Sequence, residues 1–167
     1  MTDAGLFNMV WQFLSSRGSE LTGIVGLSLT VSTAAVVTGA LIGVPLGALL
    51  GLRRFPGRKF LMRLTYTLMS LPPVLAGLLV YLFFARSGPL GFLDILFTPS
   101  VMVIAQVLLV TPIITGLAAA AIAAKEKLSM DTARTLGASE RQAAWVVIKE
   151  ARTGILAGIM TGFGRAF

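Results

Sequence analysis

The sequence predicts an all-α integral membrane protein, a multi-span helical bundle with three full spans and the start of a fourth. Uncharged, mainly apolar runs underlie predicted spans over about 24–50, 64–85 and 100–124. Each run reaches the roughly 20 residues that a helix needs to cross about 30 Å of hydrocarbon. A further uncharged run is too short to span alone before it meets Arg165, so 153–167 is predicted as an incomplete fourth span.

Composition supports the membrane assignment. Of the 167 residues, 56% are apolar and only 13% are charged, whereas a soluble domain carries about 25% charged residues. The net charge of +7 therefore sits on few residues of a very apolar chain. This balance favours a lipid bilayer as the partner and argues against nucleic acid.

Several residue types that enzymes and metal sites need do not occur in the sequence. The chain has no Cys and no His, which excludes disulfide-stapled domains, thiolate or imidazole metal sites, and Cys-His or Ser-His catalysis. It also has no Gly-Lys dipeptide and therefore no P-loop for a nucleotide. We predict a chain that is not an enzyme and that binds no metal or cofactor of its own.

The basic residues predict the orientation in the membrane. Eleven of the 14 Lys and Arg residues lie in two segments, 53–63 and 125–152. The positive-inside rule places both segments in the cytoplasm and the N-terminus outside a bacterial-type cytoplasmic (inner) membrane. Residues 1–20 are predicted to form an amphipathic helix in the outer interface, with a frayed terminus as the alternative.

Small residues mark one face of the first predicted span. Glycine recurs there at every fourth position: Gly39, Gly43, Gly47 and Gly51. The same spacing recurs near the end of the chain: Gly154, Gly158 and Gly162. Such a stripe lets a neighbouring backbone approach closely, so we predict tight helix packing. The alternative is that glycine is simply common in membrane helices.

Prolines and small polar residues inside the spans are candidates to line a pathway. A proline frees a backbone carbonyl, and at membrane depth such a carbonyl must face protein or a water-filled cavity. The candidate lining residues are Ser70, Pro72, Pro73, Gln106, Thr111, Pro112 and Thr115. Plain helix-to-helix hydrogen bonds and kinks are the alternative. The three full spans contain no ionisable residue well inside them, which disfavours an ion-coupled transporter.

The second basic segment predicts a compact helix–stop–helix knob. Ser129 is predicted to cap a short helix with Asp131 in its first turn, and Gly137 to supply a left-handed stop. Ser139 with Gln142 three residues later predicts a capping box for the next helix. Such a knob suits insertion into a partner's groove, although a plain connector between spans explains the pattern equally well.

Residues 131–139 resemble the EAA loop of ABC-importer permeases, whose pattern is Glu-Ala-Ala, three residues, Gly. Ala133 and Gly137 match that pattern, while Asp131 stands in place of Glu and Thr132 in place of the first Ala. The resemblance implies that this loop docks a separate ATPase subunit. The residues implied in docking are Asp131, Thr132, Ala133, Arg134, Leu136, Gly137, Ala138 and Ser139.

Further stretches resemble a particular branch of these permeases. Residues 53–58 resemble the first cytoplasmic loop of permeases for tetrahedral oxyanions, and 71–74 and 87–91 look closest to the tungstate type. Lys149 and Glu150 stand where many members of the superfamily have Leu-Pro. This replacement also resembles the tungstate-type branch. Tungstate is therefore the expected substrate, with molybdate and sulfate as alternatives.

The resemblance implies an assembly and a mechanism. A second copy of the permease completes the path in a homodimer, ATPase subunits use ATP and Mg, and an extracytoplasmic binding protein delivers the oxyanion. Permeases of this kind continue past the point where this chain ends, so we expect the sequence to be a fragment. A truncated relic or a non-transporting membrane scaffold is the alternative.

Overall fold

The computed structural model describes residues 18–167, all of whose regular structure is helical. The six α-helices are α1 (Gly18–Leu52), α2 (Arg58–Met69), α3 (Pro73–Phe84), α4 (Pro99–Thr135), α5 (Glu140–Glu150) and α6 (Arg152–Ala166), with a short 3-10 turn at Gly91–Leu93. Two stretches are long and apolar enough to cross a membrane, Glu20–Leu52 and Pro99–Thr135. The predicted all-α membrane bundle is confirmed, while most of the amphipathic helix predicted for 1–20 lies outside the described residues.

The span predicted over 64–85 is not one continuous helix. α2 and α3 together are long and apolar enough to cross, but they meet at a bend of 101°. A proline lacks an N–H donor and pushes the residue before it out of helical conformation. Pro72 constrains Leu71, and Pro73 constrains Pro72, whose ψ of 139° is extended. Two successive constraints end α2 at Met69 and restart the helix as α3, so these prolines lie at a break and not within a helix.

α4 is the central helix of the described chain and packs against each of the other five α-helices. Its side chains at Val110, Ile114 and Ile122 are fully buried. The helix also continues through Pro112, because a single proline removes only one hydrogen bond from the ladder. The core of the molecule therefore surrounds one long helix, with α1 and α6 covering much of it.

The glycine stripe of α1 lies directly against α4. A Cβ built on Gly47 would lie 2.7 Å from Cβ of Ala118, and one on Gly43 would lie 3.1 Å from Cβ of Ile114. Cβ atoms on the outer two glycines of the stripe would meet Val110 at 3.2 Å and Ile122 at 2.8 Å. Glycine fits at these positions because the two backbones approach so closely that a larger residue would overlap α4.

The second glycine stripe, in α6, lies against the same central helix. A Cβ on Gly158 would lie 3.0 Å from Cβ of Leu117, and one on Gly162 would lie 2.9 Å from a methyl group of Val110. Gly154 meets α4 in the same way at Ala121. α4 is therefore held between two neighbours that each present glycine at the contact.

α4 and α5 form a helical hairpin with its own small core. Met130 and Ala133 of α4 pack with Ala143 and Val147 of α5, and all four are buried. The predicted short helix beginning at Ser129 is wrong, because α4 runs without interruption to Thr135. No glycine or proline separates residue 124 from residue 136, so nothing in the backbone stops the helix there.

Ser129 has a different role from the predicted helix cap. It is buried, and its hydroxyl donates a hydrogen bond to a carboxylate oxygen of Glu150 at the end of α5. This bond joins the two helices of the hairpin at the end away from their connecting turn. It therefore links the last turn of α5 to the preceding helix.

We predict that Gly47→Ala destabilises the bundle. The added methyl group would overlap Ala118 and the carbonyl oxygen of Thr115, which lies 2.8 Å from the built Cβ. Overpacking of this kind costs about 1–3 kcal/mol of the free energy of unfolding. The measurement is a denaturant titration of the purified protein in detergent micelles.

The matched control is Gly26→Ala in the same helix. No atom lies within 4 Å of a Cβ built on Gly26. Alanine is the better helix former by about 0.5–1 kcal/mol, so this variant should be as stable as the wild type or slightly more stable. Equal destabilisation by the two substitutions would contradict close packing at the stripe.

We also predict that Ser129 and Glu150 are energetically coupled. Ser129→Ala should lower the free energy of unfolding by about 1 kcal/mol, because it removes a hydrogen bond to a charged group. After Glu150→Gln, the same serine substitution should cost clearly less. The four proteins of this double-mutant cycle are compared by denaturant titration, and strictly additive effects would show that the bond contributes nothing.

Candidate functional site

The knob, residues 131–139, consists of the last turn of α4 and the short connection to α5. Gly137 has a φ of 84°, the left-handed conformation predicted for the helix stop. The N–H of Gly137 donates to the carbonyl of Arg134, and the N–H of Ala138 donates to the carbonyl of Ala133, both at 3.0 Å. This pair of bonds is a Schellman motif, which satisfies carbonyls at the end of α4 and turns the chain sharply.

The next helix restarts within two residues of that stop. Ser139 is the N-cap of α5 and forms the predicted capping box with Gln142. The backbone N–H of Ser139 donates to Oε1 of Gln142 at 2.8 Å. Two local signals, a left-handed glycine and a capping box, therefore define the knob in a stretch of a few residues.

An ion pair bridges the turn on its outer side. Arg134 donates from Nε and Nη2 to the two carboxylate oxygens of Glu140, at 2.9 and 2.8 Å. The hydrogen bond from Arg134 lowers the pKa of the Glu140 carboxyl below its ordinary value. Both side chains are exposed, so the pair adds little to stability. Its two parallel hydrogen bonds hold the end of α4 close to the start of α5.

The knob has an exposed side and a buried side. Asp131, Thr132 and Leu136 are exposed, and Leu136 keeps 83% of its surface accessible. Ala133 is buried against α5, and Ala138 is half-buried on the same hairpin core. The two alanines therefore support the knob from within, and the other side chains form its outer surface.

Three of the candidate pathway residues come together on one cavity wall. Thr111, Pro112 and Thr115 line a cavity of about 360 Å³ between α1, α2 and α4. The Thr115 hydroxyl donates to the carbonyl of Thr111 at 2.8 Å, while the buried Thr111 hydroxyl has no partner among the described residues. Leucines form most of the other walls, including Leu46 and Leu64, so the cavity offers an anion few hydrogen-bond donors.

The remaining pathway candidates lie elsewhere. Ser70, Pro72 and Pro73 form the break between α2 and α3, and the Ser70 hydroxyl donates to the carbonyl of Tyr66 at 3.1 Å. Gln106 is half-buried on α4 and is absent from the cavity wall. The structure thus divides the seven predicted residues among a cavity, a helix break and Gln106, which lies at neither.

Two polar contacts near the end of α6 were not expected from the sequence. The carbonyl of Ala166 accepts hydrogen bonds from Nε2 of Gln106 at 2.8 Å and from the buried hydroxyl of Ser32 at 3.1 Å. Nη2 of Arg165 donates to the carbonyl of Leu71 at 3.2 Å. The sequence signal for a polar contact at this place was Arg165, a single arginine at the end of the fourth uncharged run.

The described residues hold no cluster of three or more acidic side chains arranged to bind a metal ion. Two other places bring predicted site residues together: the knob, and the contacts around the break between α2 and α3. One is an exposed turn between two helices, and the other is a polar contact between α6 and the α2–α3 break.

Comparison with known proteins gives the family. The model for the binding-protein-dependent transport system inner membrane component matches residues 43–167. This range includes the knob, the helix break and α6.

Individual relatives agree with the family model. A probable anion ABC transporter permease protein of Haloferax volcanii is 36% identical over 87% of this chain and 63% of its own length. The tungstate uptake system permease protein TupB of Peptoclostridium acidaminophilum is 34% identical over 96% of this chain and 70% of its own length. The sulfate transport system permease protein CysW of Synechocystis sp. is 32% identical, with 78% of this chain and 52% of its own length covered.

This chain therefore spans between about half and about seven-tenths of the length of these relatives. The family match covers most of its described residues, and the identity to the second relative extends over nearly the whole sequence. The chain belongs to the family of binding-protein-dependent transport system inner membrane components.

Proposed function

We propose that the chain is the membrane permease subunit of an ATP-driven ABC importer for a tetrahedral oxyanion, with tungstate as the substrate. In this proposal a second copy completes the path, and an extracytoplasmic binding protein delivers the anion. Separate ATPase subunits bind the knob and use ATP and Mg. The N-terminus is outside and both basic segments face the cytoplasm.

The observation that carries the proposal is the geometry of the knob. Leu136 is 83% exposed at a turn that Gly137 and the capping box fix in one conformation. An exposed apolar side chain on a turn that is already held in one conformation can be buried by a partner at a low cost in conformational entropy. A plain connector between membrane spans needs neither the defined turn nor the exposed leucine.

The continuity of α4 supports coupling between the knob and the membrane. The helix runs without a break from Pro99 to Thr135, about 55 Å at 1.5 Å per residue. Thr111, Pro112 and Thr115 lie on the same helix as the start of the knob. A force that an ATPase exerts on the knob would therefore act along one rigid element on residues at membrane depth.

The substrate class rests on the relatives. Their names include tungstate, sulfate and anion transport. Tungstate comes first here because the tungstate relative aligns with 96% of the chain. Molybdate and sulfate share the tetrahedral shape and are the next substrates to test.

We predict that Gly137→Val prevents ATPase binding without preventing membrane insertion. Valine in a left-handed conformation costs about 1–2 kcal/mol, so the turn should distort. Leu136→Ser is a milder companion, because this exposed side chain can change without altering the core. Co-purification of the ATPase subunit from membranes should fall about tenfold or more for either variant.

Gly57→Val is the matched control. Gly57 also has a positive φ, 94°, and a Cβ built on either glycine meets no atom within 4 Å. The two variants thus carry the same backbone strain at different cytoplasmic turns, and Gly57→Val should retain the ATPase. Normal ATPase recovery with Gly137→Val and Leu136→Ser would refute docking at the knob.

A further inference from the structure

The break between α2 and α3 is contacted by the side chain of an arginine from α6. Residues 70–72 interrupt the backbone ladder, and the carbonyl of Leu71 accepts a hydrogen bond from Nη2 of Arg165 at 3.2 Å. The two residues are 94 positions apart in the sequence. This contact joins α6 to the middle of the bent helix pair.

The contact lies at membrane depth. α2 begins at Arg58 and α6 begins at Arg152, in the two basic segments that mark one membrane boundary. Arg165 lies 13 residues beyond Arg152 along α6, about 20 Å at the helical rise. With a hydrocarbon core about 30 Å thick, a rise of about 20 Å along α6 from that boundary places the guanidinium within the hydrocarbon layer by length.

Arg165 has no carboxylate partner among residues 18–167. The ion pairs between described residues join Arg54 to Glu126 and Arg134 to Glu140, both away from the break. A planar guanidinium carries several N–H donors, and the structure assigns one of them, to the neutral carbonyl of Leu71. A membrane-embedded cation is costly unless it faces water or an opposite charge, so an anion or water would stabilise the donors of Arg165 that the described residues leave unassigned.

A buried polar anchor fixes the position of the guanidinium. The neighbouring carbonyl, that of Ala166, accepts hydrogen bonds from Ser32 of α1 and Gln106 of α4. Ala166 and Ser32 are both buried. The end of α6 is therefore held by two other helices, and Arg165 next to it remains exposed.

We propose that Arg165 contacts the transported oxyanion, which meets its guanidinium at the α2–α3 break during passage. The inference rests on the proposed function and deepens it by naming a residue of the path. A planar fork of N–H donors matches two oxygens of a tetrahedral oxyanion, which a lysine ammonium cannot do as well. The carbonyl of Leu71 holds the guanidinium in position while no oxyanion is bound. Because each chain supplies one cation at this position, the oxyanion is bound weakly and can dissociate.

The test uses the complete transporter, purified with its ATPase subunits and reconstituted with its binding protein in liposomes. Arg165→Gln should lower tungstate uptake per ATP hydrolysed about tenfold or more, because it removes the charge but keeps donors for Leu71. Arg165→Lys should retain a substantial part of the uptake. ATP hydrolysis stimulated by the binding protein should stay within about twofold of the wild type, because the knob is unchanged.

Arg152→Gln is the control on the same helix. It removes an exposed charge at the opposite end of α6 and should transport normally. Wild-type uptake by Arg165→Gln would overturn the proposal. Equal loss of uptake and ATP hydrolysis in both Arg165 variants would also overturn it and assign the arginine a purely structural role at Leu71.

A second measurement does not depend on a folded variant. Phenylglyoxal modification of Arg165 in the wild-type complex, followed by mass spectrometry in detergent without added lipid, should be slowed by tungstate and unaffected by chloride. A parallel sample receives anionic lipid in place of tungstate, and protection by the lipid without protection by tungstate would assign the cation to a headgroup and overturn the proposal. If the wild-type complex imported no tetrahedral oxyanion although tungstate protected Arg165, the proposed function would fail while the anion contact would stand.

Discussion

The close backbone contact between α4 and its two glycine-faced neighbours is the constraint on which the rest of the structure depends. At Gly47 of α1 and Gly162 of α6, a single added carbon would overlap a side chain of α4. Three helices packed this closely cannot slide or separate by small amounts, because interiors at close-packed density are not continuously deformable. They form one rigid unit that extends from the knob to the end of α6.

The bent pair α2–α3 is attached to this unit in a different way. α2 has no buried residue in the described chain, and its break exposes backbone that a continuous span would satisfy internally. The carbonyl of Leu71 is satisfied by Arg165, which belongs to the rigid unit. Irregular backbone at membrane depth is tolerated where protein or water satisfies it. The junction of the rigid unit and the bent pair therefore concentrates polar groups at one level.

Much of the fold and part of the site could be predicted because their signals are local. Uncharged runs give the helices, and a glycine at every fourth position gives one contact face, since both follow from helical geometry. Gly137 and the Ser139–Gln142 capping box were predictable because each involves neighbours within three residues. Ser129 was misassigned because a serine near an acidic residue resembles a helix cap, while its partner Glu150 comes from the next helix.

The sequence by itself determined that this chain is a helical membrane protein with close-packing faces and a defined turn at Gly137, since composition and short-range periodicity encode those properties. Only the tertiary structure decided that Pro72 and Pro73 end a helix with a bend of 101° and that Arg165 lies at that break. A hydrogen bond across 94 residues depends on how α4 holds α1 and α6 together. No local pattern contains that information, because it arises only when the helices pack.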